Sequence, residues 1–202
     1  MNNIRTKLGK ILVSVFKRER MFVFEHDTDI CFLGKPKIRL KVDLVKEKDI
    51  SEIVKTFKDF GKKAKERFKL GHLCFGAKAD GKYVHLKWVA FNESYVGEID
   101  RKIHIGPTEA YLYDSYTLPE YRGLGITSAV MKKTVRYLSD MGIKKIYAIV
   151  RYDNYPMLRV KEKEGARKIG TILYTKILGI KFYKIMAQTE EDRKKLTEMF
   201  LK

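Results

Sequence analysis

Cysteine is nearly absent: Cys31 and Cys74 are the only two in 202 residues, too few for a disulfide scaffold and at a separation that fits no structural zinc spacing. A reducing, cytoplasmic setting is the expectation. The four histidines, His26, His72, His85 and His104, show no ligand-like clustering, so no metal is expected. Proline is scarce, with four in the chain, and no stretch is rich in proline, glycine or serine; nothing marks a linker, and no repeat is present. Long apolar runs are missing. Ile11 to Phe16, the longest near the start, is too short for a signal h-region or a membrane span, and no small-residue cleavage site follows it. The expectation is a soluble or at most peripheral protein. Acidic residues are outnumbered, 25 against 43 Lys+Arg, giving a net charge of +18. That balance favours an anionic partner: a phosphate-rich cofactor, nucleic acid or an acidic membrane surface.

What is present is a chain of globular composition, 45% hydrophobic and 34% charged, long enough to bury roughly 70% of its unfolded surface as one domain. The only boundary is an N-terminal extension over residues 1–34. In it Ile4, Leu8, Ile11, Leu12, Val15 and Phe16 recur at helical spacing among Arg5, Lys7, Lys10, Lys17 and Arg18. Such an amphipathic helix either packs on the domain or lies on anionic lipid.

From Lys37 to Leu44 the period is two, a first strand. Asp49 or Ser51 then caps a helix carrying Ile53, Val54, Phe57 and Phe60, which Gly61 ends, and a short basic helical segment follows. His72 to Ala79 and Lys82 to Phe91 read as strands joined by the hairpin signal Asp80-Gly81. Residues 92–107 read as an irregular insertion. A strand (Glu109 to Thr117), a helix from about Gly123 to Met141, a strand (Lys144 to Val150), a helix from about Tyr155 to Glu164, two strands (Lys168 to Thr175, Ile180 to Ala187) and a closing helix (Glu190 to Leu201) complete the order.

The stretch Pro119-Glu120-Tyr121-Arg122-Gly123-Leu124-Gly125-Ile126-Thr127 joins a strand to a helix. Glycines there permit a tight turn and leave amide N–H groups free at the positive end of the helix, a site for phosphate oxygens, with Arg122 adding charge beside it. A purely structural turn would use glycine for the same steric reason. It is neither a Rossmann fingerprint nor a P-loop, because the third glycine and the Gly-Lys-Ser/Thr ending are missing.

Residues 119–126 resemble the acyl-CoA loop of the GNAT N-acetyltransferase superfamily, whose pattern is Arg/Gln-x-x-Gly-x-Gly/Ala; here Arg122, Gly125 and Thr127 stand at the marked places, the last a departure. The element order resembles that family from about residue 37 to 187. The resemblance implies an α/β fold, a mixed and mostly antiparallel central sheet flanked by helices, with the fourth and fifth strands (here Glu109 to Thr117 and Lys144 to Val150) splayed apart. It implies acyl transfer from acetyl-CoA or another acyl-CoA to an amine by direct attack, with no metal. Pantetheine would pair with the backbone of Ser115, Tyr116 and Thr117. The diphosphate would sit on Arg122, Gly123, Leu124, Gly125, Ile126 and Thr127, and Asn154 would contact the pantetheine arm from a helix start.

The family's usual tyrosine, seven residues after that asparagine, is missing; Lys161 stands there. Tyr155 is the leading substitute to protonate the leaving thiolate, with Tyr152, Lys161 as an electrostatic stabiliser and solvent as alternatives. Glu109 is the candidate base, on a strand where Tyr111, Tyr113 and Ser115 share its face unless a bulge intervenes. Glu93, Glu98 and Asp100 in the insertion are candidates to bind a cationic acceptor, and a salt bridge or open water explains any of these carboxylates equally well. Trp88, with Tyr83 and Phe91, reads as core packing or as an acceptor-pocket wall. In this fold the closing strands offer pairing in a homodimer. Two competing functions are a basic nucleic-acid binder, drawn from lysines and aromatics interleaved in 62–69 and 176–184, and a membrane-surface acyltransferase using the N-terminal segment and residues 176–183. No nucleic-acid-binding motif is present, which counts against the first.

Overall fold

The computed structural model of the protein describes residues 16–28, 35–58 and 62–201. Among the described residues ten strands fall in the order β1 (Phe16–Asp27), β2 (Lys41–Leu44), β3 (Leu73–Ala79), β4 (Lys82–Ala90), β5 (Glu93–Val96), β6 (Arg101–His104), β7 (Glu109–Thr117), β8 (Lys145–Arg151), β9 (Arg167–Ile177) and β10 (Ile180–Ala187). The helices are α1 (Ile50–Phe57), α2 (Ala64–Lys69), α3 (Ile126–Asp140), α4 (Tyr155–Lys163) and α5 (Glu190–Leu201). Eight strands form one sheet, ordered β10-β9-β1-β8-β7-β4-β3-β2, and β5 pairs with β6 in a separate hairpin. Every neighbour in the large sheet is antiparallel except β7 and β8.

The local chemistry accounts for most of these elements. Asp80 and Gly81 both take positive φ, +47° and +79°, the backbone a two-residue hairpin turn demands between β3 and β4. Gly142 and Gly165, at φ +82° and +69°, follow α3 and α4 where a left-handed residue ends a helix. One apolar cluster packs α3 (Val130, Met131, Leu138) on Phe75, Val84 and Leu112. A second packs α1 (Ile53, Phe57) and Ala64 of α2 on Cys74, Leu86 and Trp88. A third joins α5 (Leu196, Met199, Phe200) and the β5–β6 hairpin to Met21, Val23, Ile172 and Tyr174.

Three expectations change. Residues 16–27, expected within an N-terminal extension, form a strand inside the sheet, paired with β8 on one edge and β9 on the other, so the domain reaches back past the boundary placed at residue 34. Phe16, Lys17 and Arg18, expected on a helix, stand in that strand. Pairing on both edges and burial of Met21 and Val23 outweigh the helical spacing, and the charges find cross-strand partners: Glu25 takes Lys145 at 3.3 Å and Arg167 at 3.0 Å. The amphipathic pattern over Met1–Val15 lies outside the described residues, as do Phe60 and Gly61 of the expected helix end. Residues 92–107 are ordered as the β5–β6 hairpin, because Val96, Ile99 and Ile103 turn into the third cluster. The first expected strand keeps only Lys41–Leu44; Lys37 instead gives its N–H to Leu124 O at 3.0 Å.

Candidate active site

β7 and β8 pair from Glu109 with Lys145 to Leu112 with Ala148, and there the pairing stops although both strands continue. Beyond that point a cavity of about 360 Å³ opens between them, bordered by Tyr113, Ser115 and Tyr116 on one side and Ile149 and Arg151 on the other. β7 is bulged at the same place. Its register against β4 jumps from Trp88 with Tyr113 to Leu86 with Tyr116, so Asp114 (φ +43°) and Ser115 together oppose Lys87.

The bulge moves Ser115 off the face shared by Tyr111 and Tyr113, whose rings stack 5.6 Å apart. Ser115 Oγ and Thr117 Oγ1 instead approach His85, at 3.5 Å from Nε2 and 2.7 Å from Nδ1, and Thr117 Oγ1 lies 3.5 Å from Thr127 Oγ1. Burial, helped by the charge of Lys87, pushes the His85 imidazole down to about 3, so it is a neutral clamp on the second half of β7.

After a short 3-10 turn, Pro119–Tyr121, Arg122 Nε donates to Thr117 O at 3.2 Å and its guanidinium lies 5.6 Å from the Tyr116 ring. Gly123 and Gly125 take φ +76° and +77°, and Gly125 caps α3 with no side chain bonded to the helix start. A Cβ on Gly125 would meet Lys35 O and Pro36 Cα at 3.4 Å. This loop borders a second cavity of about 430 Å³ reached by Arg122, Gly123, Gly125, Ile126 and Thr127. Leu124 is not among its walls; its side chain packs into the α3 cluster, and the Ile126 side chain is buried there too. The two cavities share Ser115, Tyr116, Thr127, Asn154 and Met157 and form one cleft. Asn154 caps α4, its Oδ1 accepting from Met157 N at 3.3 Å.

The floor of the cleft carries charge. Lys161 is buried with its Nζ 2.7 Å from Glu164 Oε2, His26 Nε2 lies 3.6 Å from the same oxygen, and Lys87 completes the group. Burial pushes Glu164 upward, but His26, Lys87 and Lys161 outweigh it and hold the carboxyl at about 2. Burial keeps His26 below its ordinary value.

Two expected catalytic residues stand elsewhere. Glu109 sits at the closed end of the strand pair, where Lys195 of α5 holds both carboxylate oxygens at 2.5 Å and Gly106 N donates at 2.7 Å. It borders neither cavity, because pairing with β8 seals that half of β7. Tyr155 is 63% exposed and also borders neither cavity, since the first turn of α4 directs Asn154 and Met157 inward instead. Tyr152 is exposed beneath Arg20, 5.2 Å from the guanidinium.

A third cavity, about 480 Å³, adjoins the split from the side of the β5–β6 hairpin and shares Glu98, Tyr113, Asp114 and Ile149 with the cleft. Of the acids expected there, Glu98 reaches it. Glu93 is paired with Lys102 at 2.9 Å, and Asp100 with Tyr95 and with Lys181 at 2.9 Å. Sequence reasoning missed Arg67, whose guanidinium lies between Trp88 (5.0 Å) and Tyr113 (4.9 Å) and is paired with Asp114. Trp88 is thus core that supports the cavity wall. Tyr113 OH lies 2.6 Å from His72 Nδ1; burial and Arg67 keep that imidazole below its ordinary value. Among the described residues no group of three or more His, Cys, Asp or Glu could hold a metal ion, and no helix is long and apolar enough to cross a membrane.

A parallel strand pair that splits, with a helix start that no side chain caps at the mouth of the split, leaves a free strand edge beside unpaired amide groups. The sequence profile of the acetyltransferase (GNAT) family matches residues 45–166, more than half of the chain, and the protein belongs to that family. Strand β1, outside the matched stretch, is nonetheless central to the sheet. Among solved structures, a protein assigned to the GNAT family from Novosphingobium aromaticivorans is similar at 16% identity and TM-score 0.55, with 86% of this chain and 66% of that one covered. A tandem GNAT protein from the clavulanic acid biosynthesis pathway gives 13% and 0.56, over 80% and 54%. The aminoglycoside N-acetyltransferase AAC(6')-Iy, in complex with a CoA-linked bisubstrate analogue, gives 14% and 0.51, over 63% and 90%. The chain thus spans less than two thirds of the length of the first two, and at these identities the likeness concerns the fold. No functionally curated protein sequence matches the chain.

Proposed function

We propose that the protein transfers an acyl group, acetyl in the first instance, from acyl-coenzyme A to the amine of a small-molecule or peptide acceptor. The observation that carries this is the continuous cleft running from the uncapped start of α3 to the split between β7 and β8. Its shape fits the donor: a phosphate-binding turn at one end, a strand edge without a partner along its length, and an acceptor cavity opening at the far end. Acyl-coenzyme A supplies an acyl group activated as a thioester.

The chain's own residues supply the rest. Amides of Gly123–Thr127 and the charge of Arg122 receive the diphosphate. The backbone of Tyr113–Thr117 offers the pantetheine amides a strand to pair with, and an N–H of that stretch polarises the carbonyl oxygen. Asn154 steadies the arm from α4. Glu98, at the junction of cleft and acceptor cavity, replaces Glu109 as the carboxylate that receives the amine's proton, since Asp114 is occupied by Arg67. The test is calorimetric titration with acetyl-CoA, followed by thiol release against a panel of primary amines. Near-stoichiometric binding and acceptor-dependent release support the reading. Binding of a DNA duplex alone, with steep salt dependence, would replace it with a basic nucleic-acid surface.

A peripheral version of the same enzyme is favoured by one observation: Leu178, Ile180 and Phe182 are exposed beside Lys181 and Lys184, near Phe16. Apolar side chains interleaved with lysine suit an anionic lipid surface. Co-sedimentation with phosphatidylserine vesicles, lost in Phe182→Ser, is the expected result; no co-sedimentation removes this version.

A further inference from the structure

Lys87 is a buried charge in the cleft to which the acyl-transfer reading gives no task. It enters from β4 opposite the bulge of β7, is 3% exposed, and borders the cavity between the split strands. Its Nζ donates to Met131 Sδ at 3.3 Å, a weak acceptor for an ammonium. The neighbouring carboxylate, Glu164, is already engaged by Lys161 at 2.7 Å. An apolar side chain of similar length would fill this space without the cost of burying a charge. A retained ammonium with only a thioether to bond to points to an anion that arrives from outside the chain.

The groups around it are mixed in charge. Lys161 faces it from α4 and Glu164 from the residue that ends that helix, His26 from β1, and His85 stands two residues before it on β4, while Asp114 borders the same cavity from β7. Both histidines are driven toward the neutral form by burial. Burial brings the Lys87 ammonium down to about 8, against the pull of Glu164 and with the push of Lys161. It is therefore mostly protonated at neutral pH, yet close to releasing its proton.

Resting on the acyl-transfer reading, we propose that Lys87 is the catalytic acid for the leaving group, binding the thiolate that departs from the acyl donor and protonating it. As the carbon–sulfur bond breaks, its electron pair stays on sulfur, and a proton passes from Lys87 Nζ to that sulfur. The neutral amine left behind is recharged by the proton that Glu98 receives from the acceptor amine, passed back through solvent. Lys161, at the position where the family resemblance places a tyrosine, acts through Glu164: it takes that carboxylate's hydrogen bond and leaves Lys87 only the longer-range pull of its charge.

The test uses the full chain and Lys87→Met, which keeps the length and removes the charge. Calorimetry with acetyl-CoA is expected to give near wild-type affinity, while turnover with a competent amine falls about 100-fold. A second readout needs no turnover: the thiol of bound coenzyme A is titrated through the ultraviolet absorption of its thiolate. With Lys87 present it ionises at a lower pH than free coenzyme A, because the ammonium favours the anion. In Lys87→Met that advantage is lost. Should Lys87→Met fail to fold, Lys87→Gln carries the same two measurements. Undiminished turnover, or an unchanged thiol titration, overturns the assignment of Lys87 and leaves the donor site standing. Failure of the unaltered chain to bind either acetyl-CoA or coenzyme A removes the acyl-transfer reading and this assignment together.

Discussion

The two halves of β7, Glu-Ala-Tyr-Leu and Tyr-Asp-Ser-Tyr-Thr, meet opposite fates. From Glu109 to Leu112 the strand pairs with β8, and Ala110, Tyr111 and Leu112 are buried; from Tyr113 to Thr117 it pairs with β4 alone, and every residue is half-buried. Each half carries one carboxylate. Glu109, in the sealed half, is fixed by Lys195 and the Gly106 amide, whereas Asp114, in the open half, borders both the cleft and the third cavity. What separates structure from chemistry on this strand is therefore the point where its neighbour leaves, and residue type says little about it.

The strongest way to break the contrast is to block the mouth of the open half. Gly125→Glu sets a side chain at φ +77° against Lys35 O and Pro36 Cα and puts negative charge beside the diphosphate site. Acetyl-CoA affinity is expected to fall more than about 100-fold, read by calorimetry, with melting temperature reporting the backbone strain of roughly 1–2 kcal/mol separately. Retained affinity would move the donor site elsewhere.

Next in size is the charged floor beneath the open half. Removing the Glu164 charge in Glu164→Gln leaves Lys161 and Lys87 buried without their counter-ion, at a cost of about 3 kcal/mol in denaturant unfolding. The pH dependence has a definite sign. Because the folded carboxyl is held at about 2, below its ordinary 4.5, its contribution is full above 4.5 and disappears as pH falls through about 2. The stability gap between wild type and Glu164→Gln should close over that interval; a gap constant with pH would show that Glu164 is not ionised in the fold.

The carboxylates sharpen the comparison further. Glu98→Gln is expected to lower turnover by at least about 10-fold, with loss of the low-pH limb of the rate profile that protonation of the base produces. Glu109→Gln should leave that profile unchanged and cost about 1–2 kcal/mol of stability through its lost ties to Lys195 and Gly106. The reverse outcome would restore Glu109 as base. Smallest of all, Tyr155→Phe, at an exposed position, should leave turnover unaltered.

How far the sequence discloses this arrangement depends on how local each feature is. Arg122 to Thr127 and Asn154 are legible because a strand, a glycine turn and a helix start are written in consecutive residues, and the Asp80-Gly81 hairpin is legible for the same reason. β1 is not, because Phe16–Asp27 becomes a strand by pairing with β8 and β9, more than a hundred residues away. Lys87 is equally hidden. Lys82 to Phe91 reads as a strand of a hairpin, and nothing local says that β4 lies between β3 and β7 under helices on both sides, where the lysine is enclosed. Glu109 and Tyr155 were natural candidates by residue type; their positions relative to the split, set by the β7–β8 register and the first turn of α4, decide against them. Glu98 reaches the cleft because the 92–107 insertion folds as a hairpin, which its alternating apolar residues permit but do not announce.

The central claim is that the donor lies along the second half of β7 and not the first. Amide hydrogen exchange, followed residue by residue with and without acetyl-CoA, tests it most directly. The account predicts slower exchange on binding for Tyr113–Thr117 and for the loop from Arg122 to Ser128, with Glu109–Leu112 unchanged. Binding that protects some other part of the chain, and leaves Tyr113–Thr117 as it was, would contradict it.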